Sequence, residues 1–378
     1  MENKICIYAI CRNESQFVDT WLNSMAEADY IVVLDTGSTD DTFEKLRNDP
    51  RVHKVEQKII TPWRFDVARN ESMKLIPEDA NILVCTDLDE VLEPGWAQVL
   101  RDRWIEGVHT RATYKYAWSH YPNGEPARVF QYNKVHSKEW VWNFPVHECL
   151  VHADDTLNVD YPASEELMIF DEMYLHHYPD PNKSRSSYLP LLELRKKEYP
   201  SDYYGRIYLA HEYYYRGYYE KCIEELEDIL ATFPNQSNPV ETASCYLFMG
   251  DAYRSLGNYS ATINAYQNAI LVDNTYREPY VNLCEVLNEL GYYNQVIGIV
   301  KDCLTKTYRH YTWLERDSTW TYELFDLLAV AYFYTEDYIN SFINARKALA
   351  FDPTEERLIT NFNCIESKLL EIEGISNV

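Results

Sequence analysis

Over the first 150 residues, short apolar runs alternate with polar, amphipathic stretches. Ile5-Cys6-Ile7-Tyr8-Ala9-Ile10, Tyr30-Ile31-Val32-Val33-Leu34 and Ile82-Leu83-Val84-Cys85-Thr86 read as buried strands, because no charged residue interrupts them. Residues 14 to 28 place Phe17, Val18, Trp21, Leu22 and Met25 along one helical face. The run Asp35-Thr36-Gly37-Ser38-Thr39-Asp40-Asp41-Thr42 reads as a turn capping a helix that starts near Asp41. Val52 to Ile60 is strand-like and 66 to 76 helical. Strands alternating with helices predict an α/β domain with a mostly parallel, Rossmann-like sheet. In such sheets ligands sit beyond the carboxyl ends of the strands.

From about residue 200 the pattern becomes purely helical and repeats. With position one at Tyr203, Ala243, Arg277 and Tyr322, position eight is Ala210, Gly250, Cys284 and Ala329. Position fifteen is Gly217, Gly257, Gly291 and Glu336, and position seventeen is Tyr219, Tyr259, Tyr293 and Tyr338. Pro234 and Pro353 end the first and last frames, and insertions near 235–242 and 308–321 break the period. The pattern resembles the tetratricopeptide repeat, a helix pair whose small residues allow close packing. Stacked pairs of this kind form an all-α solenoid whose surface binds another chain, or pairs two copies into a homodimer. The predicted division is an α/β domain over 1–182, a connecting helix over 183–202 and about four repeats over 203–378.

Lys and Arg total 35 against 60 Asp and Glu, a formal charge of −25, which counts against binding to a phosphate backbone. No apolar run is long enough to span a membrane, and Met1-Glu2-Asn3-Lys4 leads directly into a strand pattern without a signal-peptide core. The nine cysteines include no CxxC pair and read as reduced, buried thiols, so a cytoplasmic protein is expected. The 33 tyrosines, dense around 203–219, suit helix packing or an amphipathic groove.

Four groups in the α/β part could carry chemistry. Asp35 ends a strand, where a carboxylate can take hydrogen bonds from a base or ribose, or cap its own turn. Asp87 and Asp89, with Glu90, follow a buried strand in Thr86-Asp87-Leu88-Asp89-Glu90. Carboxylates held so close call for neutralisation, which Mg²⁺ or Mn²⁺ beside substrate phosphates provides. Arg69 lies in the first turns of a helix and suits a phosphate, or a surface pair with Asp66 or Glu71. Between Trp140 and Tyr178, His176 or His177 could complete a metal shell and Glu148 could act as general base. Trp140 and Trp142 are either core or a platform for a sugar ring.

Taken in order, Cys11-Arg12-Asn13-Glu14, Val33-Leu34-Asp35-Thr36-Gly37-Ser38-Thr39-Asp40, Ala68-Arg69-Asn70, Asp87-Leu88-Asp89-Glu90, Val146-His147-Glu148 and Leu175-His176-His177-Tyr178-Pro179-Asp180 resemble glycosyltransferase family 2, the GT-A fold. The narrower resemblance is to its bacterial and phage branch with C-terminal tetratricopeptide repeats. Lys183-Ser184-Arg185-Ser186-Ser187-Tyr188-Leu189-Pro190-Leu191-Leu192 looks like that branch's join to the repeats. The resemblance implies an inverting, metal-dependent hexosyltransferase moving a sugar from a nucleotide-sugar, a UDP-sugar on family grounds, to a protein, peptide or glycan hydroxyl. It implies Ala9, Cys11, Arg12, Asn13, Asp35, Arg69, Asp87 and Leu88 along the donor, and Asp87, Asp89 and His177 or His176 at the metal. It further implies Glu148 as base, with Glu90 as runner-up, and Trp140, Trp142 and His147 on the acceptor side. The family's His-x-Gly-Tyr is replaced by His177-Tyr178-Pro179, which leaves both histidines open as ligands.

Two other classes compete with this reading. One is a catalytically silent scaffold that binds partners through the repeats. The other is a nucleotidyltransferase, which would carry a Gly-rich basic loop where Cys11-Arg12-Asn13-Glu14 stands.

Overall fold

The computed structural model describes residues 3–121, 123–153, 168–181, 186–234, 238–310, 315–372 and 374. The chain forms two compact units, Met1–Gly205 and Arg206–Val378. Lys183, Ser184 and Arg185, expected at the join, lie outside the described residues.

The first unit runs β1 (Ile5–Cys11), α1 (Val18–Met25), β2 (Tyr30–Asp35), α2 (Thr42–Asn48), β3 (Lys54–Gln57), α3 (Phe65–Met73), β4 (Ile82–Cys85), β5 (Glu90–Leu92), α4 (Trp96–Arg103), β6 (Arg111–His120), β7 (Pro126–His136), β8 (Trp140–Asn143), β9 (Cys149–His152), β10 (Met168–His177) and α5 (Tyr188–Glu198). Eight strands form one sheet in the order β3-β2-β1-β4-β7-β6-β10-β5, and β8 pairs with β9. β1 is apolar throughout because both of its faces are covered. Ile5, Ile7, Ala9 and Cys11 pack with Trp21 and Leu22 of α1 and Trp96 and Leu100 of α4. The alternate residues Cys6, Tyr8 and Ile10 pack with Ala68 of α3 and with Trp140 and Trp142.

The expectation of a mostly parallel, Rossmann-like GT-A sheet is corrected: the sheet is mixed. β1 pairs in parallel with β2 and β4, as do β2 with β3 and β6 with β10, whereas β7 is antiparallel to both β4 and β6, and β5 to β10. The physical reason is the short link between β6 and β7, closed by the Tyr121 amide on the Glu125 carbonyl at 2.8 Å. So short a connection can only return a strand antiparallel. The order reverses at β1, with β2 on one side and β4 on the other, which opens a crevice at the carboxyl ends of those two strands.

The second unit is helical: α6 (Tyr203–Tyr215), α7 (Tyr219–Thr232), α8 (Pro239–Ser255), α9 (Tyr259–Val272), α10 (Glu278–Glu289), α11 (Tyr293–Cys303), α12 (Glu323–Tyr334), α13 (Tyr338–Phe351) and α14 (Glu356–Ile372). The fourfold spacing corresponds to four helix pairs joined by the same turn. Gly217, Gly257, Gly291 and Glu336 all have positive φ, +76°, +74°, +79° and +62°. The next amide bonds back to Tyr213, Tyr253, Leu287 and Tyr332 respectively, closing each first helix in a Schellman motif. The tyrosine at position seventeen opens every second helix. Position eight is where the partner helix comes closest: a Cβ on Gly250 would lie 2.3 Å from the buried ring of Tyr266. No helix among the described residues is long and apolar enough to cross a membrane.

Candidate functional site

The carboxyl ends of β1, β2 and β4 gather most of the polar residues singled out from the sequence. Asp35 is fully buried, and its Oδ1 accepts from the Gly37 and Ser38 amides at 2.9 and 2.8 Å and from Gln57 Nε2 at 2.9 Å. Burial pushes its pKa up, but the donors on Ser38, Gln57 and Gly37 outweigh it and hold the carboxyl below its ordinary range. It is the organiser of its own turn. Asn13, at φ +55°, accepts from the Thr39 amide at 2.7 Å and ties the β1–α1 loop to the β2–α2 loop. Arg12 is exposed. Ala9, Cys11 and Leu88 are packed in the core.

Arg69 is buried beneath the end of β4 rather than paired on the surface. Its Nε donates to Glu148 Oε1 at 2.5 Å, its Nη2 to Asp87 Oδ1 at 2.9 Å, and its plane lies 5.1 Å from the Trp142 ring. Asp66 and Glu71, the other candidates for its partner, pair with Arg64 and with Lys58 and Lys74.

A second cation completes the cluster. Lys134 on β7, only 3% exposed, donates to Asp87 Oδ2 at 3.1 Å and to Glu90 Oε1 at 3.2 Å. Burial alone would pull the Lys134 amine down; the charges of Asp87 and Glu90 outweigh it and keep it protonated. Glu90 is pushed up by burial against the pull of Lys134. Its Oε2 also accepts from the Asp87 amide at 2.8 Å. Sequence reasoning missed Lys134. The available signal was a lone lysine inside the strand-like run Val129-Phe130-Gln131-Tyr132-Asn133-Lys134-Val135-His136, since a lysine buried in a sheet requires carboxylates around it.

The two histidines separate by strand alternation. His177, on the face of β10 that carries the buried Leu175, sets Nε2 3.6 Å from Asp89 Oδ2 and donates from Nδ1 to the Trp118 carbonyl at 3.2 Å. His176, on the opposite face, bonds Glu93 at 2.9 Å and His120 at 2.9 Å. His177 is therefore the residue beside Asp89. Burial lowers its pKa, but Asp89 and Glu90 outweigh this and leave it raised.

Trp140 and Trp142 are 2% and 5% exposed and belong to the core, so neither offers an open ring face. Trp142 Nε1 donates to Tyr8 at 2.7 Å, Tyr8 to His136 Nε2 at 2.6 Å, and His136 Nδ1 to the Ser137 carbonyl at 2.7 Å. Burial pushes His136 down to about 4, which keeps this chain neutral. His147 is exposed, at φ +49°, with its carbonyl held by Arg195 at 2.9 Å.

The carboxylates that called for a metal are thus partly neutralised by the chain itself. Arg69 and Lys134 sit on the oxygens of Asp87, and Arg69 takes Glu148 Oε1, the atom expected to act as base. Among the described residues no group of three or more His, Cys, Asp or Glu converges as a metal shell; Asp89 and His177 are a pair. Asp87 and Glu148, expected as metal ligand and base, are engaged in this structure by Lys134 and Arg69.

No protein-family model matches the chain, and no curated protein matches it. The solved structures to which it is similar include a thermophilic TPR protein from Thermus thermophilus, 20% identical, covering 47% of this chain and 88% of that one at a TM-score of 0.35. MamA from Desulfovibrio magneticus is 13% identical over 46% of this chain and 95% of that one, TM-score 0.35. The Cut9–Hcn1 hetero-tetramer of the APC/C is 15% identical over 47% of this chain and 32% of that one, TM-score 0.38. The family 2 glycosyltransferase reading is corrected at this point: the solved structures to which the chain is similar are tetratricopeptide-repeat proteins, each matched over less than half of this chain, and none of those named is a glycosyltransferase. The enzyme assignment, the UDP-sugar donor and the sugar acceptor fall with it.

Proposed function

We propose that this chain is a protein-interaction scaffold that holds a partner polypeptide on its repeat half. The observation that carries the reading is the fourfold recurrence of one helix-pair turn, at Gly217, Gly257, Gly291 and Glu336, which stacks successive pairs in register. A stack of this kind presents a long continuous surface, far more than a unit of this size needs for its own core. Half-exposed aromatic residues support a binding role: Tyr204, Tyr218 and Tyr292 are 48%, 47% and 50% exposed. Tyrosine offers contact area with a polar tip at low entropic cost. Panning a displayed peptide library against the full chain tests the reading. Enrichment of a sequence class that a soluble peptide of that class displaces is expected; no enrichment would end it. Light scattering across concentrations separates a homodimer from a monomer that binds other chains.

The 3.6 Å contact of Asp89 with His177 favours a second, independent reading for the first unit: a Mg²⁺ or Mn²⁺ ion held by that carboxylate and imidazole. The Nδ1–H bond to Trp118 leaves Nε2 as the atom that faces Asp89, so Nε2 is the nitrogen that would give up its proton to bind the ion. Calorimetric titration with MnCl₂ should show one site, lost in His177→Leu and kept in His176→Leu. Equal binding by both variants would sink the assignment.

A further inference from the structure

Residues 273–277 suffice to join α9 to α10, whereas 304–322 separate α11 from α12. The end of this insertion, Glu315 to Thr321, lies against the first helices of successive pairs. The Arg316 amide and the Thr319 hydroxyl both donate to Glu278 Oε1 at the start of α10, the latter at 3.5 Å. One turn along α10, on the same face, Asn282 Oδ1 accepts from Arg316 Nη2 at 3.0 Å. Asn282 in turn donates to Asp251 Oδ1 of α8 at 2.9 Å, and Arg316 lies 3.7 Å from Glu323 at the start of α12. A single arginine of the chain thus bridges α10 and α12 and reaches α8 through Asn282.

The fit is incomplete. Arg316 Nε and Glu278 Oε2 are buried and make no hydrogen bond, and Arg316 is 41% exposed at its side chain. From residue 206 onward the sequence carries 25 Asp and Glu against 13 Lys and Arg, so the unit as a whole favours a cationic partner. Asp251 and Glu278 are both pushed up by burial, Glu278 to about 7, which marks this face as poorly solvated.

We infer that the face shared by α8, α10 and α12 is a binding site for an extended, arginine-bearing segment of a partner protein, and that Glu315–Thr321 occupies the site in its absence. The inference rests on the scaffold reading and names the partner's chemistry. A segment whose arginine reaches both Asn282 and the second oxygen of Glu278 would satisfy the carboxylate oxygen that this strap leaves unpaired, and would release Arg316 to solvent. The strap lowers apparent affinity in proportion to its occupancy of the face.

The test pans one displayed peptide library against full-length wild type and Arg316→Ala. A synthetic peptide with the sequence of residues 315–321, Glu-Arg-Asp-Ser-Thr-Trp-Thr, serves as competitor. Arginine-bearing sequences should be enriched on Arg316→Ala, bind it about tenfold or more tightly than wild type, and be displaced by the competitor. Enriched peptides that lack arginine, or that the competitor does not displace, would overturn the inference and leave the scaffold reading standing. No enrichment on either protein would remove both. Should Arg316→Ala not fold, hydrogen exchange at the Arg316 amide of wild type replaces it. Faster exchange upon adding a selected peptide is expected; unchanged exchange with the peptide bound refutes the strap.

Discussion

The charged cluster at the end of β4 and the charged face of α10 bury similar groups in opposite ways. In the first, Asp87, Glu90 and Glu148 meet Arg69 and Lys134, the two cations being carried by α3 and β7. Both cations are buried on regular elements of the unit. On α10, Glu278 and Asn282 meet an arginine from an inserted segment, with a buried oxygen and a buried nitrogen left over. The first arrangement is a lock, and the second is the one we infer to be exchangeable. The difference teaches that buried charge by itself does not mark a functional site; what matters is whether the neutralising partner belongs to the scaffold.

The comparison breaks most easily at Lys134. Lys134→Met leaves Asp87 and Glu90 without one cation in a buried site and should cost about 3–5 kcal/mol of stability, measured by denaturant unfolding of the first unit. A loss no larger than that of a surface charge would show that the cluster is not a lock. Arg316→Ala should cost less, about 1 kcal/mol, since its side chain is partly solvated.

Titration sharpens the contrast. Glu278, raised to about 7 by burial, adds stability that is fully present below its unfolded value near 4.5 and is lost as pH rises through about 7. Glu278→Gln should therefore gain about 2–3 kcal/mol relative to wild type between pH 5 and pH 8. His136, lowered to about 4, acts in the opposite sense: its contribution is present above about 6.5 and lost as pH falls toward 4. Parallel pH–stability curves for wild type and Glu278→Gln would contradict the assignment.

Smaller effects test the repeat frame. Gly250→Ala forces a methyl onto the Tyr266 ring, whose hydroxyl is tied to Asp251 at 2.6 Å, and should cost about 2 kcal/mol in a thermal melt. Glu336→Gly relieves the left-handed residue that the other turns fill with glycine, and should stabilise by about 1 kcal/mol. An unchanged melting temperature for either would mean that the turn or the close approach is not under the constraint described.

Much of the fold was legible because it is local. Continuous apolar runs mark β1, β2 and β4, and the Gly-x-Tyr spacing marks turns whose backbone needs positive φ. The β6–β7 hairpin went unread although β6 alternates, with Tyr114, Tyr116 and Trp118 on one face and Arg111, Thr113 and Lys115 on the other; in β7 the charged and aromatic residues share a face, which blurs the apolar-polar contrast. In the site, Asp35 and Asp87 were found because they end visible strands. Lys134 was not, because its function depends on strands that meet only in the folded sheet. The choice between His176 and His177 turned on the parity of β10, which a one-residue slip would reverse.

By itself the sequence determined the two-part architecture, the strand-end positions of the carboxylates and the repeat period, all set by hydrophobic pattern and backbone sterics along the chain. Only the tertiary structure decided which cation neutralises which carboxylate, which histidine faces Asp89, and that Arg316 lies on α10. Those are contacts between segments far apart in sequence, and a side chain's charge partner is chosen by distance and burial after the backbone has closed.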